Sequence, residues 1–165
     1  MKTAEPDIFT SLIDMHKGII YKIANTYCRD DEQRKDLVQE ILLQLWRSFE
    51  HYDAQYKHST WIYRVSLNVA ISFYRKEQTR KKIAQSYPEE ILQLKAEEKK
   101  PEIREEARLL LQCINELPGL DRALILLYLE GKSHKEMAEI MGISETNVAT
   151  KVSRIKNRLK QRFSK

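Results

Sequence analysis

Between Glu77 and Glu106 the chain offers too little apolar surface to join a core. Pro88 and Pro101 interrupt it, charges of both signs crowd it, and the one helix that Glu and Lys would favour, Glu89 to Lys99, has only Ile91, Leu92 and Leu94 to bury. A stretch of this kind reads as a linker. It divides the 165 residues into an N-terminal module (1–80), a linker (81–104) and a C-terminal module (105–165). Each module is small enough to be marginally stable alone. With 4 Gly and 4 Pro, the chain also lacks the punctuation that an all-β fold requires, while Leu, Ile, Lys, Glu, Gln and Arg dominate. The expected fold is therefore all-α, two small helical domains without an internal repeat.

The net charge of +5 hides a strong asymmetry. Residues Ile143 to Lys165 carry +6 and residues Arg64 to Lys82 carry +5, so the remainder is −6. Two separated basic patches on an otherwise acidic chain suit one extended polyanion touched twice, because each neutralised phosphate releases counterions. The competing reading, solvated helix faces, is not excluded by charge alone.

Other classes find little support. Cys28 and Cys113 stand apart from each other and from any His cluster, which suggests neither a disulfide scaffold nor a zinc site. The longest apolar run, Leu124 to Leu129, is far shorter than the roughly 18 residues of a membrane span. Nor does the N-terminus resemble a signal peptide, so the expectation is a cytoplasmic protein. Catalysis by His51, His58 or a lysine lacks paired carboxylates, a nucleophile–base spacing or a phosphate-cradling glycine loop, and the expectation is no enzyme, no metal and no cofactor.

In the N-terminal module, Leu37, Val38, Ile41, Leu42, Leu45, Trp46 and Phe49 recur at helical spacing and predict a core-facing stripe. Asp36, Glu40, Gln44 and Arg47 line the opposite side, with Leu43 among them, either a stray surface leucine or part of a contact patch. After a polar stretch, Ser59 or Thr60 is positioned to cap a second helix. Its predicted core stripe is Ile62, Val65, Val69 and Phe73; its other face reads Trp61, Arg64, Asn68, Ser72 and Arg75, continuing into Lys76. Cations for phosphates, an amide for a base edge and nearby aromatics are the ingredients of a single-strand surface. Trp61 and Tyr63 serve equally well as core fillers.

The run DLVQEILLQLW, followed by TWIYRVSLNVAISFYRK, closely resembles region two of extracytoplasmic-function sigma factors of the sigma-70 family. The resemblance implies that the first helix docks on the β′ clamp of core RNA polymerase through Asp36, Gln39, Glu40 and Leu43. It also implies that Trp61, Arg64, Asn68, Ser72, Arg75 and Lys76 melt the minus-ten promoter element and hold a flipped base, with Asn68 at the family's asparagine. Ser72 stands where the family often has Asp, which leaves base preference open.

In the C-terminal module, Pro118 and Gly119 end a helix carrying Leu109, Leu110, Ile114 and Leu117, and a second, Leu120 to Glu130, stops at Gly131. Ser133 and Glu136 form a capping-box pattern. Ala138, Gly142 and Val148 then stand where a helix-turn-helix needs a small residue, a glycine of positive φ and an apolar anchor. Ser144 is placed to cap the last helix, whose predicted core face is Val148, Val152, Ile155 and Leu159. Its outward residues Glu145, Asn147, Ala149, Thr150, Ser153 and Arg154 can approach bases, and Lys151, Arg154, Lys156 and Arg158 can bind phosphates.

The stretch ELPGLDRALILLYLEGKSHKEMAEIMGISETNVATKVSRIKNRLKQ resembles region four of the same family. That implies reading of a minus-thirty-five element through Ser144, Asn147, Thr150, Lys151, Ser153, Arg154 and Arg158. The implied partners are core RNA polymerase (β′ clamp and β flap), promoter DNA and an anti-sigma factor, with no small-molecule substrate. A free-standing helix-turn-helix repressor or activator would account for the C-terminal half alike, yet not for a basic, aromatic helix in the N-terminal half.

Overall fold

The computed structural model describes residues 6–84 and 104–163, with side chains of the third helix described to Arg80. All regular structure among them is helical. In order, α1 is Pro6–Tyr27, α2 is Asp31–Ser48, a 3-10 turn is Phe49–His51 and α3 is His58–Ala84. The C-terminal elements are α4 (Glu105–Asn115), α5 (Gly119–Leu129), α6 (His134–Met141) and α7 (Glu145–Phe163). The stretch predicted as a local helix, residues 89–99, lies outside the described residues.

Local signals explain most boundaries. Asp30 caps α2, its side chain accepting from the Glu32 amide. Ser133 Oγ accepts from Glu136 N at 3.1 Å while Ser133 N donates to Glu136 Oε2 at 3.2 Å, so the predicted capping box fixes the start of α6. Gly142, at φ 69°, makes the left-handed turn into α7, and Gly131, at φ 78°, ends the segment after α5. The expected Ser59 or Thr60 cap is corrected: α3 begins at His58, two or three residues earlier, with Trp61 N already bonded to Lys57 O.

Core packing follows the predicted stripes on α2 and α7. Leu37, Ile41, Leu45 and Val148 are fully buried and Val152 and Ile155 are buried, with Leu159 half-buried. Each such aliphatic side chain contributes about 1.5–3 kcal/mol by leaving water. Two predictions need correction. Trp46, placed in the core by periodicity, is 38% exposed and meets Phe9 edge-on at 5.0 Å. On α3 only Ile62 of the predicted stripe is buried; Val65, Val69 and Phe73 are half-buried, and Ser66, Leu67 and Ala70 join Ile62 at the deepest positions. The reason is that α3 packs between α1 and α2 on one side and α5 and α6 on the other. A helix covered from two directions buries more than one stripe.

The two modules therefore meet. Tyr27 Oη donates to Gly119 O at 2.6 Å in a buried bond linking α1 to α5. A Cβ on Gly119 would lie 3.3 Å from Tyr74 Cδ1, so the glycine lets the helices approach closely. Arg122, only 3% exposed, stacks over Tyr74 at 4.5 Å and Tyr27 at 5.4 Å. It donates to the carbonyls of Asn115 and Leu117. At the edge, Lys22 Nζ pairs with Glu130 Oε2 at 2.8 Å, and Lys132 lies 5.2 Å from the Tyr63 ring.

Candidate nucleic-acid interface

On α2, the 3.6-residue period brings Asp36, Gln39, Glu40 and Leu43 onto one exposed face, with Leu43 54% accessible. Opposite them, Leu37, Ile41 and Leu45 anchor the helix, so the polar face is held rigidly outward. A single leucine there needs no explanation, but Leu43 is followed one turn later by the partly exposed Trp46. Together they form an apolar strip flanked by acids and amides.

On α3, Asn68, Ser72, Arg75 and Lys76 are exposed and Arg64 is half-buried. Arg64 lies over the Tyr56 ring at 5.9 Å, and a Cβ on Gly142 would be 3.5 Å from its Nη2. Trp61, predicted on the same outward face, is instead in the core. It packs against Tyr52 at 5.3 Å and Phe49 at 6.1 Å, as a residue in the first turn of α3 facing the loop that folds back over it. The correction removes Trp61 as a direct stacking platform for a base. Tyr52, stacked on His58 at 4.9 Å, and Tyr56, whose carbonyl accepts from the Tyr52 hydroxyl, form the loop beside it.

The faces of α2 and α3 enclose an open groove of about 580 Å³. Leu43, Gln44 and Arg47 form one wall, Asn68, Ser72 and Lys76 the other. It has room for a nucleobase, with an amide, a hydroxyl and cations at its rim. Gln44 and Arg47 were not among the predicted site residues; the available signal was that they follow Glu40 by four and seven positions, on adjoining rows of one helix face. A neighbouring groove joins Asp36, Gln39 and Glu40 to Lys76 and Arg80, so the two predicted surfaces are continuous.

In the C-terminal module, Ser144 Oγ accepts from Asn147 N at 3.1 Å and caps α7 as expected. Asn147, Thr150, Ser153, Arg154 and Arg158 are exposed and Lys151 is half-buried, all away from the buried Val148, Val152 and Ile155. The Thr150 hydroxyl donates to Thr146 O at 3.0 Å within the helix. Lys156 departs from expectation: its ammonium lies 4.7 Å from the centre of the Tyr128 ring, turned towards α5 rather than outward.

No group of three His, Cys, Asp or Glu among the described residues is placed to hold a metal, and no described helix is long and apolar enough to cross a membrane.

Family models match both modules. Sigma-70 region 2 matches residues 12–80, which include the α2 and α3 faces, and Sigma-70, region 4 matches residues 107–159, which include the exposed face of α7. The RNA polymerase sigma factor SigZ of Bacillus subtilis (strain 168) is 30% identical over 128 residues, covering 76% of this chain and 70% of that protein. The ECF RNA polymerase sigma factor SigW of the same organism is 27% identical over 173 residues, covering 99% of this chain and 92% of SigW.

The chain belongs to the extracytoplasmic-function group of the sigma-70 family.

This sigma factor shares its fold with solved relatives. The sigma factor RpoE of Bartonella quintana, solved with the anti-sigma factor NepR, superposes with a TM-score of 0.68 at 20% identity, over 93% of this chain and 94% of that one. CnrH, solved with the cytosolic domain of CnrY, gives a TM-score of 0.67 at 19% identity, over 98% and 90%. Like its family, this sigma factor belongs to promoter-specific transcription initiation with RNA polymerase, a regulatory and non-catalytic role.

Proposed function

We propose that this sigma factor binds core RNA polymerase through α2 and grips a promoter at two places, opened minus-ten strand on α3 and intact minus-thirty-five duplex on α7. The observation that carries the reading is the groove shared by α2 and α3. Asn68 and Ser72 form one wall, and the acidic and apolar face of α2 runs directly into the other. A base leaving the duplex costs a few kcal/mol of stacking and pairing, which contacts inside such a groove offset. Arg75 and Lys76, exposed beside it, are placed for the strand's phosphates.

On the other module, the face of Asn147, Thr150, Lys151, Ser153, Arg154 and Arg158 suits a major groove, with Ser144 and the amides it leaves free at the start of α7 near a phosphate. Asp36, Gln39 and Glu40 around Leu43 suit a basic, partly apolar surface of the β′ clamp, and the C-terminal module would meet the β flap. An anti-sigma factor is the expected inhibitor, since RpoE of Bartonella quintana was solved with the anti-sigma factor NepR. The expected place of action is the cytoplasm, with no substrate or cofactor of its own.

The test is run-off transcription from a genomic promoter library with core polymerase, followed by permanganate footprinting on a selected promoter. The chain should redirect initiation to a defined promoter set. Asn68→Ala should bind polymerase normally and lower bubble reactivity by on the order of tenfold, as expected for loss of 1–2 kcal/mol of pocket contacts. An unchanged footprint would remove Asn68 from strand capture, and no change in start-site choice by the wild type would overturn the proposal.

A further inference from the structure

We infer that Thr150 selects a thymine in the minus-thirty-five duplex through its methyl group, its hydroxyl being held by its own helix. This inference rests on the reading of α7 above and adds to it the chemistry of one contact. At about 100° of turn per residue, Thr150 lies about 200° around the helix from both Val148 and Val152. Those two valines are buried and anchor α7 on its module, so Thr150 stands at the middle of the outward face. It is also in the second turn of α7, close to the helix start, the part of a recognition helix that comes nearest to base edges.

The Thr150 side chain has two branches, and only one is free. Its hydroxyl donates to Thr146 O at 3.0 Å, lying back on the preceding turn, a bond that threonine makes readily within a helix. With that branch on the backbone and the residue exposed, the methyl is the group offered outward. The polar neighbours one turn to either side differ: the side chains of Asn147 and Ser153 make no hydrogen bond among the described residues, so polar reading by this face rests with them. Thymine is the one base that presents a methyl group in the major groove, and a threonine methyl is an apolar match for it. Threonine is short, so the contact needs the backbone of α7 deep in the groove. Ala149 and Ser153, which flank it, are small enough to permit that approach.

The hydroxyl oxygen keeps lone pairs that can accept from adenine or cytosine, so the experiment must separate the two branches. Deoxyuridine differs from thymidine by the methyl alone. The full-length chain, assembled with core polymerase, is bound to a promoter chosen by the run-off selection, with deoxyuridine placed in turn at every A·T pair of the minus-thirty-five duplex. At one pair the wild-type affinity should fall about fourfold, the effect of one methyl left in water. Thr150→Ser, which keeps the hydroxyl and drops the methyl, should bind thymine and uracil alike at that pair. Thr150→Val, which keeps the methyl and drops the hydroxyl, should retain the fourfold preference. Each protein is compared with itself on two DNAs, so a general loss of folding or of polymerase binding does not alter the ratio.

A preference that survives in Thr150→Ser, or that disappears in Thr150→Val, would take the contact away from the methyl and overturn the inference. So would a wild type indifferent to deoxyuridine at every pair, or a selected promoter set with no constant A·T pair in that duplex. In all of these cases the holoenzyme still directs initiation, and the initiation reading stands. A chain that directs polymerase to no promoter would instead overturn the initiation reading, and this contact with it.

Discussion

Cys28, just beyond the end of α1, shows how burial alone sets the chemistry of one side chain. Its thiol is pushed from the ordinary value near 9.0 up to about 11, first by desolvation and then by the Glu77 carboxylate. A thiol so placed is not a nucleophile at neutral pH. Because the folded pKa is raised, the stability carried by the neutral thiol is complete below pH 9 and is lost as pH rises towards 11. Thermal unfolding across that window should show a loss on the order of 2 kcal/mol that Cys28→Ala flattens; parallel curves for the two proteins would remove this account. Single residues were also the hardest to place from sequence. Trp61 has the same spacing whether it faces a strand or a core, and only the loop at Tyr52 decides between them. Gly142 and Ser133 were legible because a positive φ and a capping box each demand particular residue types at one position.

Helices show the same contrast. On α2 the period of the sequence located the buried Leu37, Ile41 and Leu45 and the polar face, and failed only near the end of the helix, at the exposed Trp46. On α3 it located Asn68, Ser72, Arg75 and Lys76 as outward but misplaced the centre of burial, since α3 is covered from two sides and the second cover comes from residues over forty positions away. A one-dimensional pattern carries no information on a distant neighbour. For α2 itself the reading gives a clear expectation. Glu40→Lys reverses charge in the middle of the face without touching Leu37, Ile41 or Leu45, so folding should be unchanged. Affinity for core polymerase should drop by roughly ten- to a hundredfold through like-charge repulsion. Normal holoenzyme assembly by that variant, measured by gel filtration or native electrophoresis, would rule out the proposed docking face.

At the level of the whole molecule, the division into two modules, the all-helical architecture and the two cationic regions were readable from where apolar and charged residues fall. The contact between modules was not, because it depends on Tyr27, Tyr74, Gly119 and Arg122, which share no period and lie far apart in the chain. If each module neutralises its own phosphates, their electrostatic contributions are independent. Arg75→Ala should lower the salt dependence of promoter binding by the holoenzyme by about 0.7, and Arg154→Ala by about 0.9. The double variant should lower it by about 1.6, measured between roughly 50 and 200 mM salt. A double variant no different from either single one would show that the two sites do not act on separate stretches of DNA.

The groove between α2 and α3 stays uncovered while the modules are packed together, with Asn68 and Ser72 exposed on the flank of α3. That sets an order of events. If α2 and α3 act as proposed, both faces are open from the outset, so first capture by polymerase or by an opened strand requires no rearrangement of the helices that make it.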